Sequence, residues 1–360
     1  MARIILGSVA CVASFAIIFH LQLEEVWYVE PQTVFITQGQ MTPTSEAIEM
    51  TDTTIDGAII DTLDLKDFMA GGERKAHFVA QVRKSLSTTG FFFLVNHRIP
   101  QHVMARVMKV LPKFFRDLTQ EQRMQYVGTD EIGYTPPRVE KGQGFAVADE
   151  KHFMHVRNGN APYVHEVPDL RDSLLEIDHY FYIDMVTLLQ AVALSLDLPE
   201  HYFDALIQNC LTRALHYPAH DNPTEHDHDL VEGGNVVGMC AAPHTDINML
   251  TLLLATEPGL ELKYGGRWIP VTITNPNAII VNCADMLEHL TGGRYKSGWH
   301  RVVCRPGIER YSIPFFGHLD PSTSLKPLEH LGKSDLTEFP DVTYGEAFFK
   351  RLVELGVVTP

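Results

Sequence analysis

The segment APHTDINMLTLLL, residues 242–254, sets His244 and Asp246 two positions apart at the edge of an apolar run. Side chains at i and i+2 of a strand point to one face, so the spacing predicts a strand that aims both at one ion. A third ligand must come from elsewhere. His300, in YKSGWHRVV, stands at the head of a later β-like run and is the best candidate. Two neutral imidazoles and one carboxylate form the facial set that suits non-haem Fe(II) and leaves three adjacent coordination positions open. Zinc usually takes a closed four-ligand site, or three ligands and a water when catalytic. No evident general base flanks these residues, which disfavours a zinc hydrolase. In a chain with 18 histidines, H-x-D alone is a weak signal.

The stretch RYSIPFF, residues 310–316, strengthens it. Arg310 and Ser312 share a strand face, and a guanidinium beside a hydroxyl can clamp a carboxylate, the arginine in bidentate fashion. A buried arginine without an anion is costly. The apolar neighbours Ile313, Phe315 and Phe316 therefore argue for a bound acid.

The elements that must position these residues fall into two regimes. Apolar residues at turn spacing predict helices over 73–88 (Phe78, Val82, Leu86), after Pro100 (Val103, Val107, Leu111, Phe114) and over 169–197 (Leu174, Phe181, Met185, Leu188, Val192). Pro199 closes the last of these and restarts a shorter helix. GFFFLVNH, residues 90–97, reads as a buried strand, and residues 130–165 as loop with short strands. From residue 211 the pattern changes to short β runs: LTRALHY, MLTLLLA, LELKY, RWIPVTI, AIIVNC, GWHRVVC and RYSIPFF. YGGRW, residues 264–268, is a hairpin signal, because paired glycines tolerate positive φ. Such strands predict a sandwich or barrel whose outer face covers the helices. A last helix fits 343–355, with Thr343 and Glu346 spaced as a capping box.

Read in order, these motifs resemble the isopenicillin N synthase-like family of Fe(II)- and 2-oxoglutarate-dependent oxygenases. The resemblance rests on HYP (216–218), PHTD (243–246), LTLLL (250–254), GLEL (259–262), WIPV (268–271), VNCADMLEHLTGGRYKSGWHRV (281–302) and ERYSIPFF (309–316), with IIDTLDLKDF and TTGFFFLVNHRIP near the start. It spans about residues 58–350 and implies an α+β fold with a mainly β core, a double-stranded β-helix (jelly roll) flanked by helices. It further implies His244, Asp246 and His300 as iron ligands, Arg310 and Ser312 on the distal carboxylate of 2-oxoglutarate, Tyr217 as a contact of the co-substrate or of a substrate carboxylate, and Asn282 near the iron. The reaction implied consumes O2 and 2-oxoglutarate, releases succinate and CO2, and hydroxylates, desaturates or cyclises a small molecule. One departure is Leu215, where many plant members carry Asn. Two further readings stand beside this one: an isopenicillin N synthase-type oxidase that uses iron and O2 without 2-oxoglutarate, and a catalytically silent jelly roll.

The implied division is an N-terminal extension (1–57), a helical region (58–205), the jelly-roll core (206–320) and a helical tail (321–360). Substrate contacts are expected from GYTPP (133–137) and DEKHFMHV (149–156). Lys151, His152 and Arg138 read as solvated loop residues that could also meet an acidic substrate, and Phe153 and Phe316 as either pocket or core. His289 and His318 read as structural. The run AHDNPTEHDHD (219–229), with His220, His226 and His228, reads as a solvated loop rather than a second metal site.

Composition sets the outer bounds. The net charge of −16 repels phosphate backbones, so a small molecule rather than nucleic acid is the expected partner. Five scattered cysteines without a C-x-x-C pair suggest a reduced complement, as in the cytoplasm. Against that, residues 4–19 form an uncharged apolar run, shorter than the about 20 residues of a full span. Three readings of it stay open: a signal or anchor, and hence membrane association through this segment; a start site placed too far upstream, with Met41 and Met50 as later starts; or a packed helix.

Overall fold

The computed structural model describes residues 54–55, 58–128, 132–140, 149–219, 230–232, 235–304 and 307–354. The N-terminal apolar run and the His220–His228 cluster lie outside them. Among the described residues, no helix is long and apolar enough to cross a membrane.

In chain order, a two-strand hairpin, β1 (Thr54–Ile55) and β2 (Ala58–Ile59), precedes β3 (Thr62–Asp64), α1 (Leu65–Ala70), α2 (Gly72–Thr88) and β4 (Phe91–Val95). Then come α3 (Gln101–Phe115), α4 (Gln120–Met124), β5 (Gly133–Thr135), β6 (His152–Arg157) and the long α5 (Asp169–Ser195). The β-rich half runs β7 (Leu211–Tyr217), β8 (Leu230–Glu232), β9 (Asn235–His244), β10 (Leu250–Ala255), β11 (Leu260–Tyr264), β12 (Arg267–Pro270) and β13 (Ile279–Cys283). Helix α6 (Asp285–Leu290), β14 (His300–Cys304), β15 (Arg310–Gly317) and α7 (Tyr344–Glu354) complete it.

The expected helices form where their apolar stripes predict. Val103, Val107, Leu111 and Phe114 of α3 are all buried, each contributing on the order of 1.5–3 kcal/mol. Thr343 and Glu346 make the predicted capping box of α7, the Glu346 amide donating to Thr343 Oγ1 at 3.3 Å and the Thr343 amide to Glu346 Oε2 at 2.8 Å. After Pro199 the expected shorter helix is a single 3-10 turn, Asp204–Leu206, since three residues cannot close an α-helical ladder.

Thirteen of the strands form two sheets, of order β3-β4-β13-β10-β15-β7-β6-β5 and β12-β11-β14-β9-β8. This is a jelly-roll core with helices on its outer side. The larger sheet is covered on both faces, and its alternation sorts the residues. Tyr311, Ile313 and Phe315 of β15 pack with α5 and the other helices, whereas Arg310, Ser312, Pro314 and Phe316 face the space between the sheets. Strand β7 does the same: Ala214 faces the helices, and Arg213, Leu215 and Tyr217 face inward. The YGGRW hairpin closes β11–β12 with Gly265 at φ 57° and Gly266 at φ 79°, the positive values its two-residue turn requires.

The cysteine expectation needs correction. Cys240 on β9 and Cys304 on β14 are joined in a cross-strand disulfide with a Cα–Cα distance of 5.5 Å. Sequence spacing could not show this, because the two cysteines meet only when β9 and β14 lie side by side in the sheet. Cys210 and Cys283 are buried free thiols.

Candidate active site

His244 is the last residue of β9 and His300 the first of β14, and the two are direct partners across the antiparallel ladder. Their rings lie 4.2 Å apart between centroids. Asp246 is not on a strand, so the i, i+2 expectation holds only for His244. The reason is topological: β9 belongs to the smaller sheet and β10 to the larger, and residues 245–249 carry the chain from one to the other. That crossing brings the carboxylate back towards the histidines. The turn is held by the first amides of α6, Asp285 donating to the Asp246 carbonyl at 2.9 Å and Met286 to that of Asn248 at 3.1 Å. These are amides with no partner inside their own helix.

Hydrogen bonds then decide which atoms face the centre. His244 Nδ1 lies 2.6 Å from the Ala242 carbonyl and His300 Nδ1 2.8 Å from that of Gly298. A carbonyl only accepts, so each Nδ1 carries the proton and each Nε2 keeps its lone pair for a ligand. Gly298 is needed here for space as well, since a Cβ would lie 2.2 Å from the Phe91 ring. Asp246 Oδ2 accepts from Thr251 Oγ1 at 2.6 Å and from Asn282 Nδ2 at 3.0 Å, leaving Oδ1 directed at His300 Nε2, 3.8 Å away. The three ligand atoms all lie within 4.8 Å of one another, a fit for one small cation. Burial, with His300 close by, pushes the His244 pKa down to about 3, so the ring is neutral at physiological pH. Burial alone would raise the Asp246 pKa, but the two imidazoles and its two hydrogen bonds hold it below the ordinary value.

Arg310 and Ser312 face the same space from β15, as their spacing predicts. Arg310 is buried; its Nη1 donates to Ser312 Oγ at 3.0 Å and its Nε to the Glu257 carbonyl at 3.3 Å. It pairs in register with Tyr217 of β7, and its guanidinium lies 5.2 Å from that ring. Burial lowers its pKa. Among the described residues it makes no ion pair, which is the expected state of a group built to receive an anion. Asn282 and Thr251 are paired across β13–β10, which explains how both reach Asp246. The sequence pointed to Asn282 but missed Thr251, whose signal was a lone hydroxyl in the apolar LTLLL run.

All these groups line one cavity of about 770 Å³. Lys151, Phe153 and Phe316 line it as well, whereas His152 points the other way, contrary to expectation, because it alternates with Lys151 and Phe153 along the chain. Arg138 lines its exposed edge and is paired with Glu150. Lys151 donates to Asp149 Oδ2 at 2.5 Å, and Arg213 binds Glu140 through two nitrogens at 2.9 and 3.0 Å. The Arg213 guanidinium lies 4.1 Å from the Phe153 ring. This charge-balanced cluster was not legible beyond Lys151. Arg213 could have been found as the residue that shares a strand face with Tyr217. His289 bonds the Pro340 carbonyl at 2.7 Å and His318 the Tyr344 hydroxyl at 2.7 Å, the structural roles expected of them.

Comparison with known proteins agrees with this geometry. Residues 203–319 match the 2OG-Fe(II) oxygenase superfamily, and residues 60–171 match the N-terminal region of non-haem dioxygenases in morphine synthesis. The 2-oxoglutarate-Fe(II) type oxidoreductase hxnY of Emericella nidulans is 32% identical over 335 residues, covering 81% of this chain and 93% of that protein. A 1-aminocyclopropane-1-carboxylate oxidase of Dictyostelium mucoroides is 26% identical, covering 83% and 95%. A crystal structure of a 2OG-Fe(II) oxygenase family protein from Caulobacter crescentus superposes with a TM-score of 0.69 at 26% identity, covering 84% of this chain and 99% of that one. The rice dioxygenase for auxin oxidation, at 22% identity and TM-score 0.65, covers 82% and 96% and shares the fold.

Proposed function

Because the chain belongs to the 2OG-Fe(II) oxygenase superfamily, we propose that His244, Asp246 and His300 hold its ferrous ion and that Arg310, with Ser312 and Tyr217, seats the distal carboxylate of 2-oxoglutarate. The enzyme is an oxidoreductase of small molecules that uses Fe(II), 2-oxoglutarate and O2. Bound together, these supply an oxidation coupled to loss of CO2 from 2-oxoglutarate and release of succinate.

The protein's own contribution is positional. The carbonyls of Ala242 and Gly298 fix both imidazole tautomers; Thr251 and Asn282 hold Asp246 with one oxygen free; the charge of Arg310 is desolvated and aimed by Ser312. Apolar neighbours such as Phe91, Leu253 and Val302 exclude water from the cavity wall, which strengthens each polar contact inside. The observation that carries the assignment is the convergence of His244 Nε2, Asp246 Oδ1 and His300 Nε2, each freed by a hydrogen bond to its sibling atom. The acidic balance of the chain supports a free small molecule rather than nucleic acid as substrate, and any membrane contact would be confined to residues 4–19.

The test is anaerobic titration of Fe(II)-loaded protein with 2-oxoglutarate, read as a visible charge-transfer band, followed by a small-molecule screen for succinate release with Asp246→Ala as control. Iron binding without the band, and turnover without succinate, would replace this reading with an oxidase whose substrate supplies every electron.

A further inference from the structure

Helix α7 does more than cover the core. Its residues Phe348 and Leu352, one turn apart, line the cavity that holds the His244, Asp246 and His300 side chains. Phe348 also packs on the main apolar cluster, but Leu352 belongs to neither apolar cluster of the molecule. The apolar surface of Leu352 therefore serves the cavity.

The helix is pinned at both ends. At its start, buried Tyr344 bonds His318, itself a cavity residue. In its last turn, Arg351 Nε donates to Asp285 Oδ2 at 3.0 Å and Nη2 to Thr245 Oγ1 at 3.4 Å, and Thr245 stands between His244 and Asp246. The second oxygen of Asp285 accepts from Ser297 Oγ at 2.6 Å, three residues before His300, while its amide donates to the Asp246 carbonyl at 2.9 Å. Arg351 and Asp285 together thus tie α7 to the backbone segments that carry all three candidate ligands. A helix that only shielded the core would need no such connection.

We propose that α7 is the wall that selects the primary substrate: Phe348 and Leu352 are specificity-determining side chains that receive its apolar face, and the Arg351–Asp285 pair is the positioning contact that sets their distance from the metal centre. The inference rests on the iron assignment above for what the substrate is placed against. Its test does not depend on turnover. The neutral fluorophore N-phenyl-1-naphthylamine serves as an apolar probe of the full-length protein, titrated in wild type, Phe348→Ala, Leu352→Trp, Arg351→Ala and Arg351→Lys, with melting temperature and the anaerobic 2-oxoglutarate band recorded in parallel. Leu352→Trp, which fills the cavity, should weaken probe binding about tenfold or more. Phe348→Ala should shift the affinity, Arg351→Ala should shift it too, and Arg351→Lys should restore it, all with the band retained. Should Leu352→Trp fail to fold, Leu352→Phe and Phe348→Ala decide. Wild-type protein that does not bind the probe, or variants that all bind it with wild-type affinity, would overturn the proposal. A missing band in iron-loaded wild type would instead overturn the assignment of 2-oxoglutarate to Arg310, while the probe titrations still judge α7.

Discussion

Two pairs of histidines stand on different faces of this β-core, and they end in opposite chemistry. Between the sheets, His244 and His300 each spend Nδ1 on a backbone carbonyl and keep Nε2 open. On the helix-covered face of the larger sheet, His152 and His216 spend both nitrogens. Tyr134 Oη meets His152 Nδ1 at 2.8 Å, His152 Nε2 meets His216 Nδ1 at 2.5 Å, and His216 Nε2 meets Glu309 Oε1 at 2.8 Å. Residue type is the same in both places, and burial differs little, with His244 half-buried and the other three rings buried. What differs is whether a lone pair is left over, and that separates a ligand from a structural link.

The comparison can be broken first at Asp246. Asp246→Ala should cost iron affinity more than the roughly 100-fold upper range for loss of an outer partner, and should abolish succinate release. Metal titration and a succinate assay check both. Arg310→Ala should leave iron binding intact but raise the 2-oxoglutarate concentration needed, by about 2–5 kcal/mol of lost binding, read from the visible band. Thr251→Val should act more gently, weakening iron by about 10–100-fold because Asn282 still holds the carboxylate.

The closed pair makes the smaller, pH-dependent prediction. Burial pushes the pKa of His152 and of His216 down to about 3. Below the ordinary value near 6.5 the unfolded chain binds protons that the folded chain refuses, so stability present above pH 6.5 is lost as pH falls towards 3. Each group contributes a slope of at most about 1.4 kcal/mol per pH unit. Replacing both, as His152→Gln with His216→Gln, should flatten the melting temperature between pH 6 and pH 4 relative to wild type. An unchanged profile would mean that the acid sensitivity arises elsewhere.

Much of this was legible in the chain itself. Period-3.6 and period-2 apolar patterns located α2, α3, α5 and the strands from Leu211 to Gly317, because burial on one stripe or one face must be written into local spacing. Arg310 and Ser312 were readable for the same reason: both sit inside one regular strand. Asp246 was found as a residue and misplaced as geometry, since a chain crossing between sheets leaves no periodic mark. The cluster of Glu140, Lys151 and Arg213, and the Cys240–Cys304 link, are encounters between segments far apart in sequence, and no local pattern encodes them.

By itself, then, the order of residues determined which atoms were on hand: two imidazoles, a carboxylate, a guanidinium with its hydroxyl, and the apolar periods that would bury them. Only tertiary structure decided which lone pairs stayed open, that His300 would lie opposite His244, and that α7 would close over the same cavity. The reason is that side-chain chemistry is local, whereas hydrogen-bond satisfaction is settled only when distant backbone carbonyls, hydroxyls and amides arrive to compete for it.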